Sequence, residues 1–339
     1  MPARRLTNDE LVAEKGIDTT DEWIRSHTGI GSRYITDDET TSGDLAFEAA
    51  KNALAMAAGF AEAGGAEREA AAFELAQTLD AIIIATAFPD YIGCPSTACI
   101  VQHKLGARKA LAFDVTAGCT GFAYGLEIAA GIMGIREARK RVLLIGAETL
   151  TKITNWEDRS SCILFGDGAG AVVLEKTDAP CAGEGRRGLV NSVLFADGGG
   201  GESLLIKKGG GRNPYKAGEV VDIPPHLYMN GQEVYNFAVK AVVETVDTLM
   251  KAEGLSAEDI SVIIPHQANA RIVQAARKRL HIPEEKFYLN IEEYANTSAA
   301  SIPIALDEMN RGGLLKKGDL LLTVGFGAGL TYGGNAIVW

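Results

Sequence analysis

Three short segments carry side chains suited to chemistry at a carbonyl: a thiol, an imidazole and a carboxamide. Cys119 lies in DVTAGCTGF (114–122), where a strand-like run passes through Ala117-Gly118 into an apolar stretch. A thiol at the first turn of a helix is acidified by the helix N–H groups, which also supply donors for an oxyanion. Small neighbours would let a carbonyl approach; the competing reading is an ordinary buried cysteine. His266, in IIPHQANARI (263–272), follows an apolar run and precedes a helical pattern of Ile272, Val273, Ala276 and Leu280. It therefore sits at the carboxyl end of a strand, where open α/β sheets place ligands, although a structural histidine would fit the same pattern. Asn296, in YANTSAASIP (294–303), belongs to a polar turn ahead of a helix that Pro303 could start, and Asn296 or Ser298 could serve there as an N-cap. The glycines of GFGAGLTYGG (325–334) permit close backbone approach to a ligand, or a simple hairpin turn.

These segments need a scaffold, and the hydrophobic pattern supplies one. Apolar runs at 81–86, 141–147, 169–174, 261–264, 319–324 and 332–338 alternate with helical patterns, which predicts an α/β architecture with buried sheets. A helix over 232–252 is marked by Val234, Phe237, Ala238, Ala241, Val242, Thr245 and Leu249 at spacings of three and four, with Gly254 as its stop. Segment 119–134 is apolar on nearly every side, as expected of a central helix with Cys119 at its first turn. The Gly-, Pro- and charge-rich stretch 177–189 is the expected junction between two halves, 1–177 and 178–339. Segment 57–77 reads as a solvated helical elaboration.

Composition narrows the class. Of 339 residues, 47% are hydrophobic and 23% charged, as in a globular protein. Runs such as 81–87 and 142–147 fall short of the roughly 20 residues a bilayer span needs, and no leader pattern opens the chain, so a cytoplasmic location is expected. Cysteines 94, 99, 119, 162 and 181 form no C-x-x-C pair, which argues against a disulfide framework or a zinc site. A net charge of −11 argues against a nucleic-acid partner.

Together the motifs DTTDEWIRSHTGI (18–30), DVTAGCTGF, ILFGDGAGAVVLE (163–175), MNGQEVY (229–235), PHQAN (265–269), NTSAASIP (296–303) and GFGAGLTYG (325–333) resemble the β-ketoacyl-acyl carrier protein synthase III family of the thiolase superfamily, in that family's order and across the whole chain. The resemblance implies a five-layer α-β-α-β-α fold of two duplicated halves, with Cys119, His266 and Asn296 as catalytic residues. It implies an oxyanion hole from the amides of Cys119 and Ala328. Coenzyme A contacts would come from Thr19, Trp23, Arg159, Gly231, Ala268 and Asn269, with Trp23 and Arg159 sandwiching the adenine. Cys94, Leu164 and Phe165 would shape the acyl pocket, Cys94 within the partner subunit's pocket of a homodimer. The implied substrates are an acyl-coenzyme A and malonyl-acyl carrier protein, with no metal or other cofactor, and Arg271 and Lys278 share a helix face suited to the acidic carrier.

The chain departs from the family at three places. The family's first β-strand, before Leu6-Thr7-Asn8, is absent, so either the sequence starts late or one sheet lacks an edge strand. His27 stands where many members have an arginine near the coenzyme A phosphates, and Cys94 replaces a bulky residue. Three rivals share parts of the pattern: a relative making a quinolone or polyketide, a thioester-hydrolysing cysteine enzyme, and an acyl-coenzyme A-binding module.

Overall fold

The computed structural model describes residues 1–178, 185–220 and 225–339. Cys181 and part of the expected junction, 179–184, lie outside them. The strands, numbered in chain order, are β1 Arg4–Thr7, β2 Ser32–Ile35, β3 Ala81–Ala85, β4 Leu111–Val115, β5 Arg141–Thr149, β6 Asp167–Glu175, β7 Gly188–Ala196, β8 Leu204–Ile206, β9 Leu227–Met229, β10 Val262–Pro265, β11 Leu320–Gly327 and β12 Thr331–Val338.

Two four-stranded sheets dominate, ordered β4-β3-β5-β6 and β10-β11-β12-β7. In the first, β3 runs parallel to β4 and β5, and β6 closes antiparallel to β5. In the second, β10 is parallel to β11, and β12 and β7 follow antiparallel. Parallel neighbours demand long crossovers, and the helices that make them cover both faces of each sheet. This explains why β3, AIIIA, alternates not at all and is buried at every position.

Side-chain direction sorts the apolar residues into layers. Ile82, Ile84, Leu143 and Ile145 point outward onto the helix Ser42–Ala57. Ile83 and Leu144 from one sheet, with Ile264 and Leu321 from the other, enclose the helices Gly121–Ile135 and Ser301–Arg311. Ile263, Leu322 and Val324 meet the helices Gly231–Glu253 and Ala270–Leu280. The stack is helix, sheet, helix, sheet, helix. Segment Gly118–Ile135 has the length and apolarity of a membrane span, but 56% of it is buried and its position between the sheets accounts for its composition.

The predicted long helix extends one residue beyond 232–252 at each end. The Asn230 side chain caps its start and Gly254, at φ 64°, ends it in the left-handed region. Segment 57–77 is less solvated than expected, because the helix Gly65–Ala76 buries Ala71, Ala72 and Ala76, the last two in the core beneath Ser42–Ala57. β1 pairs with β2 and joins neither large sheet. Among the described residues nothing pairs with the outer edge of β6, whereas the matching strand β12 has β7 beside it.

Candidate active site

Cys119 lies not in the central helix but in a 3₁₀ turn, Gly118–Thr120, that leads into it. Gly118 is left-handed at φ +50°, and a Cβ there would fall 2.7 Å from the Ala328 amide nitrogen, so both conformation and contact require glycine. The β11–β12 hairpin presses on the same turn. A Cβ on Gly327 would come within 2.7 Å of the Cys119 nitrogen and 3.1 Å of Sγ. Hydroxyls staple the two together: Thr120 Oγ1 donates to the Thr331 carbonyl at 3.0 Å, and Thr331 Oγ1 to the Ala117 carbonyl at 2.8 Å. The Ala328 backbone is thus fixed beside the thiol.

His266 follows β10, as its sequence context predicts, and is 1% exposed. Its Nδ1 lies 2.8 Å from Ser301 Oγ, and the Phe326 ring packs edge-on at 5.2 Å. Ser301 Oγ is also 2.9 Å from the Ser298 carbonyl. A hydroxyl has one proton to give: turned to Nδ1 it leaves the imidazole proton on Nε2, and turned to the carbonyl it leaves that proton on Nδ1.

Asn296 is no helix N-cap, and neither is Ser298, because the helix begins at Ser301 after a 3₁₀ turn, Ser298–Ala300, and neither turn nor helix has a side-chain cap. Instead Asn296 Oδ1 accepts from the Ser298 amide at 2.9 Å, which leaves Nδ2 to donate elsewhere. Its backbone is stitched to the other half of the chain: Asn296 N donates to the Leu164 carbonyl at 2.9 Å and Gly166 N to the Asn296 carbonyl at 3.0 Å.

Cys119, His266, Asn296 and Ala328 line one cavity with Gly231, Ala268, Asn269, Leu164 and Phe165. Asn269 also caps the helix Ala270–Leu280 through the Arg271 amide at 2.8 Å and donates to the His27 carbonyl at 3.1 Å. Thr19, Arg159, Arg271, Lys278 and Cys94 stand outside this wall. Arg271 and Lys278 are exposed on one helix face, while neighbouring Arg277 is held by Glu284 at 2.5 Å. Trp23 lines the cavity, but the slot expected between it and Arg159 is closed. The guanidinium carbon sits 5.0 Å from the indole in a cation–π contact, and His27 stacks on the same ring at 4.1 Å. A flat ring entering there must displace Arg159. Cys94 is exposed on a loop with Tyr91 and Ile92, away from this chain's own cavity.

Electrostatics correct one expectation. Placement at a helix start was expected to acidify Cys119, yet although the residue is only half-buried, desolvation of its thiol pushes it up to about 12, outweighing the hydrogen-bonding contribution of Ser298. Burial also holds His266 down to about 3, so the imidazole is neutral. Sequence reasoning missed a third group, Glu148, which is wholly buried on β5 and raised by desolvation to about 7. Its only sequence signal was a lone acid inside an apolar strand, RVLLIGAET.

The chain matches the family description 3-oxoacyl-[acyl-carrier-protein] synthase III over residues 113–198, and the C-terminal counterpart of that description over 250–339. It is 48% identical to the β-ketoacyl-[acyl-carrier-protein] synthase III of Caldanaerobacter subterraneus subsp. tengcongensis, over 100% of this chain and 95% of that protein. The protein of the same name from Clostridium perfringens strain SM101 is also 48% identical, over 99% of this chain and 95% of its own length. The crystal structure of 3-oxoacyl-[acyl-carrier-protein] synthase III from Aquifex aeolicus VF5 superposes with a TM-score of 0.84 at 39% identity, covering 100% of this chain and 97% of that one. The corresponding structure from Pseudomonas aeruginosa PAO1 gives 0.84 at 37% identity, over 100% and 95%. Identity and fold agree over the full chain, which belongs to the β-ketoacyl-[acyl-carrier-protein] synthase III family, the thiolase-fold acyltransferases that carry out the initiating, decarboxylating condensation of type II fatty-acid synthesis.

Proposed function

We propose that Cys119 takes an acyl group from an acyl-coenzyme A, and that His266 and Asn296 then assist its condensation with malonyl-acyl carrier protein. The observation that carries this reading is the convergence of three segments on one cavity, with a carboxamide N–H and one imidazole nitrogen left over after their structural hydrogen bonds are made.

In the loading step Sγ attacks the thioester carbon, and the amides of Cys119 and Ala328 receive the oxyanion. Coenzyme A leaves as a thiol. In the second step the malonyl carboxylate departs as carbon dioxide, and negative charge moves onto the thioester oxygen of the remaining unit. Asn296 Nδ2 and His266 Nε2 donate to that oxygen, the histidine doing so when Ser301 gives its proton to Nδ1. A neutral imidazole suits this role, since it offers a proton without surrendering it. The carbanion then attacks the acyl-Cys119 carbonyl.

The same proposal assigns Thr19, Trp23, Arg159, Gly231, Ala268 and Asn269 to coenzyme A, Leu164, Phe165 and the partner subunit's Cys94 to the acyl group, and the Arg271 and Lys278 face to the carrier. It also divides the chain into halves 1–177 and 178–339, and describes a cytoplasmic homodimer that needs no metal or redox cofactor. Incubation with a panel of acyl-coenzyme A esters, followed by intact-mass and peptide analysis, tests it. An adduct on Cys119, lost in Cys119→Ser, is expected; an adduct on Cys94, Cys99, Cys162 or Cys181 instead would overturn the assignment.

A further inference from the structure

Neither half-reaction uses Glu148 or Ser298. The two oxygens of Glu148 accept from the Ala87 amide at 2.9 and 3.0 Å, the Thr86 hydroxyl at 3.2 Å and the Ala299 amide at 3.4 Å. Gly146, on the same face of β5, lets the Ser298–Ala300 turn rest on the strand, since a Cβ there would fall 2.3 Å from the Ala299 carbonyl oxygen. Ser298 opens that turn at φ +47°. The nucleophile turn starts the same way, with Gly118 at φ +50°. An L-residue in this region is strained where glycine is not, and such strain persists where a side chain is needed. The Ser298 hydroxyl is buried and makes no well-formed hydrogen bond, and Ser298 lines the cavity with Cys119. It lies close enough to the Cys119 thiol and the Glu148 carboxyl to favour the ionised form of each.

We infer that Ser298 and Glu148 form a proton relay that deprotonates Cys119 as it attacks the acyl donor. This rests on Cys119 being the acyl acceptor. As Sγ bonds to the thioester carbon, the thiol proton passes to Ser298 Oγ and the Ser298 proton to the Glu148 carboxylate. Collapse of the adduct breaks the carbon–sulfur bond to coenzyme A, and the departing thiolate takes a proton from Ser298, which recovers its own from Glu148, so that both relay groups end as they began and Cys119 is left acylated. The relay meets a need the site creates, because desolvation keeps the thiol of half-buried Cys119 protonated at neutral pH. His266 is the competing acceptor, but when Ser301 donates to Nδ1 its remaining nitrogen, Nε2, already carries the ring proton, and burial makes the imidazole a weak base. Thr86, Ala87 and Ala299 donate to Glu148, Ser298 lies beside it, and Cys119 is its titratable neighbour across the turn.

The test is the pH dependence of Cys119 acylation, read by quenched-flow intact mass with acetyl-coenzyme A, in wild type, Ser298→Gly and Glu148→Gln. Ser298→Gly removes the hydroxyl while relieving the backbone, so a merely structural serine predicts wild-type loading. The relay predicts loading about a hundredfold slower with an unchanged melting temperature. It also predicts a rate in wild type that climbs through pH 7 as Glu148 ionises, and loss of that limb in both variants. Should Glu148→Gln not fold, the limb in Ser298→Gly decides alone. Wild-type rate and profile in Ser298→Gly would overturn the relay; failure of the wild type to load at Cys119 would instead remove the functional reading beneath it.

Discussion

The turn that carries Cys119 and the turn that follows Asn296 are built on one plan. Each is a three-residue 3₁₀ turn opening with a left-handed residue and running into a helix of the middle layer, Gly121–Ile135 or Ser301–Arg311. Each is met by a glycine on the central strand of the opposite sheet: a Cβ on Gly325 would come 2.9 Å from Thr120 Cα, and one on Gly146 would come 2.3 Å from the Ala299 carbonyl oxygen. The difference lies in the side chains. One turn spends its freedom on glycine and presents a thiol; the other keeps a strained serine and presents hydrogen-bond donors. In the proposed function, this shared backbone supplies a nucleophile from one turn and charge stabilisation beside the other. The sheets behind them also differ, since β12 is flanked on both sides and buried over Gly333–Ala336, while β6 is half-exposed over Val172–Leu174.

The largest test of this division of labour is Asn296→Ala. If the second turn serves condensation, the variant should lose about 3 kcal/mol of transition-state stabilisation in carbon–carbon bond formation while Cys119 still loads, measured by separate single-turnover assays. Equal losses in both steps would erase the distinction. The matched glycines come next. Gly146→Ala sets a methyl against rigid backbone and should cost about 3 kcal/mol, and Gly325→Ala about 2 kcal/mol, by denaturant titration. If either is neutral, the two halves are not held together through that contact.

Titration separates the halves with opposite signs. Glu148 has its folded pKa raised to about 7 from an ordinary 4.5, so its contribution to stability is full below pH 4.5 and is lost as pH rises through 7. His266 is lowered to about 3 from 6.5, so its contribution is full above pH 6.5 and is lost as pH falls towards 3. Relative to wild type, Glu148→Gln should therefore gain about 2 kcal/mol between pH 5 and pH 8, whereas His266→Gln should gain a similar amount between pH 7 and pH 5. Urea titrations across that range would show whether the slopes oppose. The smallest effect is expected for the stability of Ser298→Gly, where relief at φ +47° offsets the added freedom of the unfolded chain, for a net change under about 1 kcal/mol.

What the sequence determined by itself is local. The helix Gly231–Glu253 was legible because its apolar spacing, the Asn230 cap and the Gly254 stop are all properties of neighbouring residues. The core strands β3, β5 and β11 were legible as apolar runs, and Cys119, His266 and Asn296 through the motifs around them. β4 was legible only as the strand-like run that leads to Cys119, and β7 was not, because GLVNSVLFA is only partly buried and carries no run or alternation strong enough to read. Tertiary structure alone decided the rest. It turned a helix-start thiol from an expected acid into a desolvated group near 12, brought Arg159 onto Trp23, and set Glu148 and Ser301 beside the site. Desolvation depends on how much protein closes around a group, and part of that protein, Ser298 and Gly327 for Cys119, arrives from segments more than a hundred residues away. No short window of sequence around Cys119 contains Ser298, Glu148 and Gly327, which the fold gathers around it.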